Sequence, residues 1–225
     1  MRNIDHGVCY EQMLARYFDR PMRILEIGAG TGRLSPSRKR RRCQIWAVDP
    51  DPRLRENPLI DMPIIDSIER VAFDAESFDL VCSRFVFEHL PDPIGVLNRI
   101  YRWLTPNGKV LILTVNRLHY YGWLNQLLPK NWIEALTGQA SHDLFPTYYR
   151  FNHPFRIPRL VAQSQFGKNA PLRLILCEKY LYSSIGILRG LSRLYSLLVN
   201  SCPALRWFRA GLIIEITKPA GMGPV

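Results

Sequence analysis

The chain has 225 residues and 47% hydrophobic content, enough to bury one sizeable core without disulfides or oligomerisation, so a single domain over residues 1–225 is expected. Its five cysteines are scattered without C-x-x-C spacing, which argues against structural zinc and fits a reducing compartment. No signal-peptide pattern opens the sequence and no uncharged apolar run reaches the roughly 18 residues of a membrane span, so a cytoplasmic protein is expected, while a net charge of +11 favours contact with something anionic.

In chain order, Tyr10, Met13, Leu14, Tyr17 and Phe18 recur at helical spacing, and the first twenty residues read as an amphipathic helix that Pro21 terminates. Strand one follows at 22–27 and runs into Gly28-Ala29-Gly30-Thr31-Gly32. Alternating glycines after an apolar strand let the backbone turn sharply and approach a ligand at the carboxyl edge of a parallel sheet. A dinucleotide fingerprint, Gly-x-Gly-x-x-Gly, needs its third glycine at the position of Arg33, so a nicotinamide oxidoreductase does not fit. Strand two, Ile45-Trp46-Ala47-Val48, ends at Asp49, about 20 residues on, where a carboxylate can accept both hydrogen bonds of a ribose diol. Between them lies Arg38-Lys39-Arg40-Arg41-Arg42, in a segment too poor in apolar residues for a regular crossover helix. That run reads as solvated surface; nucleic acid bound through one such loop would be held weakly and salt-sensitively, and is not expected as a partner.

A short apolar piece, Ile64-Ile65, leads into Asp66-Ser67 as strand three. Strand four covers 78–85 and ends in Cys82-Ser83-Arg84 on the cleft side. Asp92 reads as the N-cap of a helix whose Val96, Leu97, Ile100, Tyr101 and Leu104 form an apolar stripe. Pro106-Asn107-Gly108 turns into strand five, 109–115. From 116 to 152 the pattern becomes irregular and aromatic-rich, with Tyr120, Tyr121, Trp123, Trp132, Phe145, Tyr148, Tyr149 and Phe151. A connection this long is often a lid, and an extra packed helical layer is the alternative. Residues 157–166 read as a helix ended by Gly167, 172–176 as strand six and 212–217 as strand seven. The leucine-rich stretch 181–199, with Arg189 and Arg193, reads as a core helix, its functional alternative being a membrane-surface contact.

Five motifs in this order and spacing carry a family resemblance: Glu26-Ile27-Gly28-Ala29-Gly30-Thr31-Gly32, Val48-Asp49-Pro50, Ser77-Phe78-Asp79-Leu80-Val81, Glu88-His89-Leu90-Pro91-Asp92-Pro93 and Leu104-Thr105-Pro106-Asn107-Gly108. The chain resembles the class I S-adenosylmethionine-dependent methyltransferases, in particular the methyltransferase type 11 group. The resemblance is specific over 22–116 and looser around 143–150. It implies an α/β fold, a doubly wound, mostly parallel seven-stranded Rossmann-like sheet with an aromatic-rich helical insertion after strand five, divided into a cofactor core (22–116) and a lid or substrate segment (117–152). It further implies S-adenosyl-L-methionine as cofactor, with Glu26 and the backbone of Gly28, Ala29, Gly30, Thr31 and Gly32 at the methionine end. Asp49 and Pro50 then meet the ribose, Asp66 and Ser67 the adenine, and Ser83 the cleft end of strand four.

Methyl transfer from a sulfonium is an in-line displacement, so the protein contributes mainly alignment and exclusion of water. For an oxygen nucleophile a general base helps, and His89 is the candidate, its structural alternative being to organise the cofactor wall with Glu88. His119 and His142 belong to the presumed lid. The signature of amino-group methylation, Asn/Asp-Pro-Pro-aromatic, is replaced by Ser83-Arg84-Phe85-Val86, and Cys82 follows Val81 rather than the proline of pyrimidine-carbon enzymes. A small, amphiphilic or anionic acceptor such as a sugar, lipid or polyketide intermediate, methylated on oxygen, is the leading expectation. The alternative is a non-catalytic protein of this fold that binds a membrane or a partner through its basic surface.

Overall fold

In a computed structural model, which describes residues 5–18, 20–31, 43–120, 122, 146–178 and 186–220, the strands are β1 (Arg23–Ile27), β2 (Gln44–Val48), β3 (Met62–Ile64), β4 (Phe78–Arg84), β5 (Leu104–Val115), β6 (Leu172–Cys177) and β7 (Gly211–Thr217). The helices are α1 (His6–Ala15), α2 (Pro93–Trp103), α3 (Ile157–Gln163) and α4 (Gly186–Ser201). Gly32, the basic run at 38–42, His142 and most of the aromatic insertion, including Tyr121, Trp123, Trp132 and Phe145, lie outside the described residues.

The strands form one sheet in the order β3-β2-β1-β4-β5-β7-β6, with β1 to β5 parallel and β7 antiparallel to both neighbours. Strand order reverses between β1 and β4, the topological switch point outside whose carboxyl ends ligands bind in open α/β sheets. The seven-stranded, mostly parallel α/β sheet agrees with the expectation. Strand three begins earlier than the apolar pair Ile64-Ile65 indicated: Met62, Pro63 and Ile64 pair with Trp46, Ala47 and Val48. Pro63 has no amide to donate and is tolerated because β3 is an edge strand. Asp66 therefore sits two residues beyond the strand end.

Side chains alternate across the sheet, as a period of two requires. Val81, Val110, Ile112 and Ile214 face one layer, where α2 contributes Val96, Leu97 and Ile100, and α3 contributes Ile157 and Val161. Leu80, Cys82, Leu111, Leu113 and Ile213 face the other, covered by Tyr10, Met13 and Leu14 of α1. Each such buried aliphatic side chain contributes roughly 1.5–3 kcal/mol. Two aspartate caps set the helix starts, the one at Asp92 foreseen from the sequence and the one at Asp5 seen only in the structure. Asp92 accepts a hydrogen bond from the Gly95 amide at 2.9 Å, and Asp5 accepts one from Gly7 at 2.8 Å. Helix α3 stops at Gln163, shorter than its apolar pattern indicated, and Gly167 then takes a left-handed φ of 72°.

Helix α4 overturns the core reading of the leucine-rich stretch. Ser192 and Ser196 face inward and are buried, while Ile187, Leu191, Leu194, Leu197 and Leu198 are each more than half exposed. The inner face is held by polar contacts: the Ser196 hydroxyl donates to Glu178 Oε1 (2.9 Å) and the Tyr195 hydroxyl to the Phe208 carbonyl (2.7 Å). A buried carboxylate needs such donors, and this demand outranks burial of leucines at that position.

Candidate active site

At the carboxyl end of β1 the chain turns through Gly28 (φ 74°) and Gly30 (φ 50°), both in the left-handed region that favours glycine. The Gly28 amide donates to the Val48 carbonyl at 2.8 Å, tying the loop to β2. A Cβ on Gly28 would lie 2.1 Å from Cγ2 of Val86, so the turn after β4 crosses directly over this position. Gly30 donates to Asp49 Oδ2 and Asp51 to Asp49 Oδ1, each at 2.8 Å. Asp49 is buried, and its carboxylate joins the loops after β1 and β2. Each carboxylate oxygen keeps a second lone pair, so Asp49 retains capacity to accept from a ligand's hydroxyls.

Asn57 was not singled out by the sequence. It is buried, donates through Nδ2 to the Gly30 carbonyl (3.2 Å) and accepts at Oδ1 from the Leu59 amide (3.2 Å). The glycine loop is thus gripped from both sides, its amide by Asp49 and its carbonyl by Asn57. A turn-forming residue inside a proline-bounded connection gives no signal that its side chain reaches back 27 residues.

The opposite wall follows β4. Phe85 holds a left-handed φ of 58°, uncommon for an aromatic residue, with its amide donating to the Leu113 carbonyl at 2.8 Å. A short 3-10 turn, Phe87–His89, comes next. His89 Nδ1 lies 3.1 Å from the Pro146 carbonyl. A carbonyl only accepts, so this contact puts the neutral imidazole's proton on Nδ1 and makes Nε2 its basic nitrogen. Glu88 points the other way, into the protein: its Oε2 accepts from Thr114 Oγ1 (2.8 Å), which in turn accepts from Asn152 Nδ2 (2.6 Å). The Glu88 carbonyl accepts from the amides of Tyr148 and Tyr149, and Arg150 Nη1 donates to the Pro91 carbonyl. These contacts bind the returning end of the insertion to the tip of β4. Burial pushes the Glu88 carboxyl above the usual carboxylate range, against hydrogen bonding from its own backbone and Thr114 and the charge of His89.

Between the walls is a cavity of about 410 Å³, within the size of small-molecule sites. Gly28, Asp49 and Pro50 line one side, Ser67, Ile68 and Glu69 the far end, and Val86, His89, Pro146 and Tyr148 the other side. Of the expected residues, Gly28, Asp49, Pro50, Ser67 and His89 therefore meet in one cleft. Ala29 is instead packed among Ala47 and Leu54, Glu26 is buried within β1, and Thr31 is exposed. Asp66 is half-exposed, accepts from Arg70 Nε at 2.6 Å and from the Ser67 amide at 2.7 Å, and is not part of the lining. Ser83 is buried beside Ile27, and its hydroxyl has no hydrogen-bond partner among the described residues. His119 is also buried elsewhere, Nε2 lying 3.8 Å from Glu178 Oε1 and its ring against Tyr120 and Tyr195. Among the described residues no group of three or more His, Cys, Asp or Glu could hold a metal ion.

Sheet order, glycine turn and acidic strand tip together define the Rossmann-like fold of class I S-adenosylmethionine-dependent methyltransferases. A methyltransferase-domain family model matches residues 9–152, and the chain belongs to that family. Its sequence is 31% identical over 135 residues to methyltransferase str3 of Strobilurus tenacellus, covering 57% of this chain and 48% of that protein. It is 32% identical over 104 residues to a ubiquinone biosynthesis O-methyltransferase of Xanthomonas oryzae pv. oryzae, covering 42% and 44%. The chain spans about half the length of the curated relatives it matches. Among solved structures, the plantazolicin methyltransferase BpumL, in complex with a monoazolic desmethylPZN analog and SAH, superposes with a TM-score of 0.62 at 15% identity, covering 95% of this chain and 84% of that one. A structure described as that of a putative S-adenosylmethionine-dependent methyltransferase from Listeria monocytogenes gives 0.57 at 12% identity, covering 93% and 97%.

Proposed function

We propose that the cleft binds S-adenosyl-L-methionine and that the protein catalyses methyl transfer to an oxygen of a small, amphiphilic acceptor. The observation that carries this reading is the meeting of Gly28, Asp49 and His89 on one cavity of about 410 Å³, large enough for a nucleoside-sized ligand. The lining suits that cofactor: a left-handed glycine turn and a buried carboxylate at the tip of β2. When bound, the cofactor supplies an electrophilic methyl group on a sulfonium with a good leaving group.

The chain's residues would do the rest. Gly28 and Gly30 supply the left-handed turn that brings the backbone beside the methionine end, and Asp49 accepts from the ribose hydroxyls. Ser67, Ile68 and Glu69 meet the adenine end, with Asp66 engaged by Arg70. His89, held through Nδ1 by Pro146, accepts at Nε2 the proton that the acceptor hydroxyl loses as it attacks. Tyr148 and Pro146, at the returning end of the insertion, line the cleft opposite Asp49 and help to exclude water. Relatives named as O-methyltransferases support transfer to oxygen. Titration with S-adenosylmethionine, then mass spectrometry of small molecules that co-purify and gain 14 mass units on incubation (roughly one CH₂), tests the reading. Saturable binding lost in a Gly30→Val variant is the expected outcome. A protein that binds no cofactor but retains its surface contacts would instead be a non-catalytic member of the fold.

A further inference from the structure

Helix α4 has its polarity reversed with respect to the protein. Ile187, Leu191, Leu194 and Leu198 follow one another at spacings of four, three and four, and with Leu197 they occupy an outward arc of about 120°. Ile187 is 77% exposed and the four leucines between 51% and 58%. This orientation is not a rotation the helix can easily undo, because Ser196 is hydrogen-bonded to the buried Glu178 and Tyr195 to the Phe208 carbonyl. Arg193 and Arg189, both exposed, lie on one side of the stripe, about 40° and about 80° beyond Leu197. No acidic residue occurs between Glu178 and Glu215. The 3-10 turn Pro203–Phe208 that follows adds exposed Phe208 and Arg206 stacked over the Trp207 ring at 4.9 Å.

Charge selects the occupant. A second copy placed face to face would bring the same arginines together on two chains of net charge +11, with no carboxylate on either helix to offset them. An anionic lipid surface meets both demands at once, taking leucines into the acyl boundary and arginines at headgroup level. At 16 residues the helix suits lying in that plane; among the described residues no helix is long and apolar enough to cross a membrane.

We propose that the outward face of α4 is a docking surface for anionic membranes, seating Ile187, Leu191, Leu194, Leu197 and Leu198 in the interface with Arg189 and Arg193 on phosphate headgroups. The inner side of the same helix touches the start of the insertion, the Tyr120 hydroxyl donating to Ser192 Oγ at 3.1 Å. Docking there would place the start of the insertion, at Tyr120, near the bilayer from which an amphiphilic acceptor of the proposed reaction would come.

Co-sedimentation of the full chain with phosphatidylcholine vesicles, with and without phosphatidylglycerol, tests this. The protein is expected to partition onto the phosphatidylglycerol vesicles and to lose about fivefold in partition coefficient at low salt for each of Arg189→Gln and Arg193→Gln. A Leu191→Gln/Leu194→Gln variant, whose unchanged melting temperature shows that it folds, should lose at least about tenfold. Equal partition of wild type and the leucine variant overturns the proposal. So does absence of vesicle binding, and a dimer in light scattering that the leucine variant dissociates would then assign the face to a second copy. Cofactor titration in vesicle-free buffer separates this outcome from the enzymatic reading, since none of the three variants touches the cleft.

Discussion

The two walls of the cleft are built on different principles. The wall after β1 and β2 is a local device: glycines with left-handed backbone, an acidic strand tip, and amides of adjacent loops meeting one carboxylate. The wall after β4 is assembled from distant parts, with Glu88, Thr114 and Asn152 separated by 26 and 38 residues and the 146–150 segment hung on the Glu88 carbonyl. In the proposed function the first wall holds the cofactor and the second presents His89 to the acceptor. Substitutions on the two sides should therefore move different quantities.

The largest separation is expected at His89. His89→Gln keeps size and part of the hydrogen bonding but cannot take the proton, so turnover should fall by roughly 10²–10⁴ while cofactor affinity barely moves. An unchanged turnover number with weakened cofactor binding would merge the two walls into one and leave His89 as lining only. Asp49→Ala should give the converse pattern. Cofactor affinity should drop by about 1.5–3 kcal/mol, roughly 10- to 150-fold in Kd, with turnover at saturation largely retained. Asn57→Ala removes a hydrogen bond to the Gly30 carbonyl without touching the ligand, and calorimetry should show a smaller loss of about 0.5–1.5 kcal/mol.

The smallest effect sharpens the second wall through its titration. The folded state holds the Glu88 proton above the ordinary value of 4.5, so between that value and the raised one it binds more protons than the unfolded chain. Its contribution is complete below 4.5 and is lost as pH rises through the folded value. Glu88→Gln keeps an acceptor for Thr114 and removes the buried charge, so it should raise the melting temperature at alkaline pH by about 2–4 °C, the equivalent of about 1 kcal/mol for a chain of this size. The gain should shrink toward acid. A variant less stable at every pH would show that the ionised carboxylate is held favourably by its surroundings.

The same contrast explains what could be read in advance. The first wall's Gly28 and Asp49 were legible because the signal is contiguous: an apolar strand, then residues whose backbone or charge suits a ligand. The second wall was legible at His89 and, through the aromatic-rich stretch, at Tyr148. The left-handed backbone of Phe85 and the reach of Asn152 to Thr114 depend on tertiary neighbours that no local pattern encodes. Helices α2 and α4 make the point within one kind of element. Both carry an apolar stripe, yet Val96, Leu97 and Ile100 are buried against the sheet while Leu191, Leu194 and Leu198 face solvent. Periodicity reports that a stripe exists; what covers it is decided by competitors such as Glu178, which draws the serine face of α4 inward. Asp66 shows the same limit at short range, since Arg70, four residues on, takes its carboxylate.

Direct titration of the full chain with S-adenosylmethionine and with its demethylated product tests the central claim. One saturable site for both ligands is expected, weakened at least about tenfold by Asp49→Ala and unchanged by His89→Gln. No binding of either ligand by the wild type at about millimolar concentration would contradict the account, because the wall built of Gly28, Gly30, Asp49 and Asn57 would then hold nothing of the kind it is shaped for.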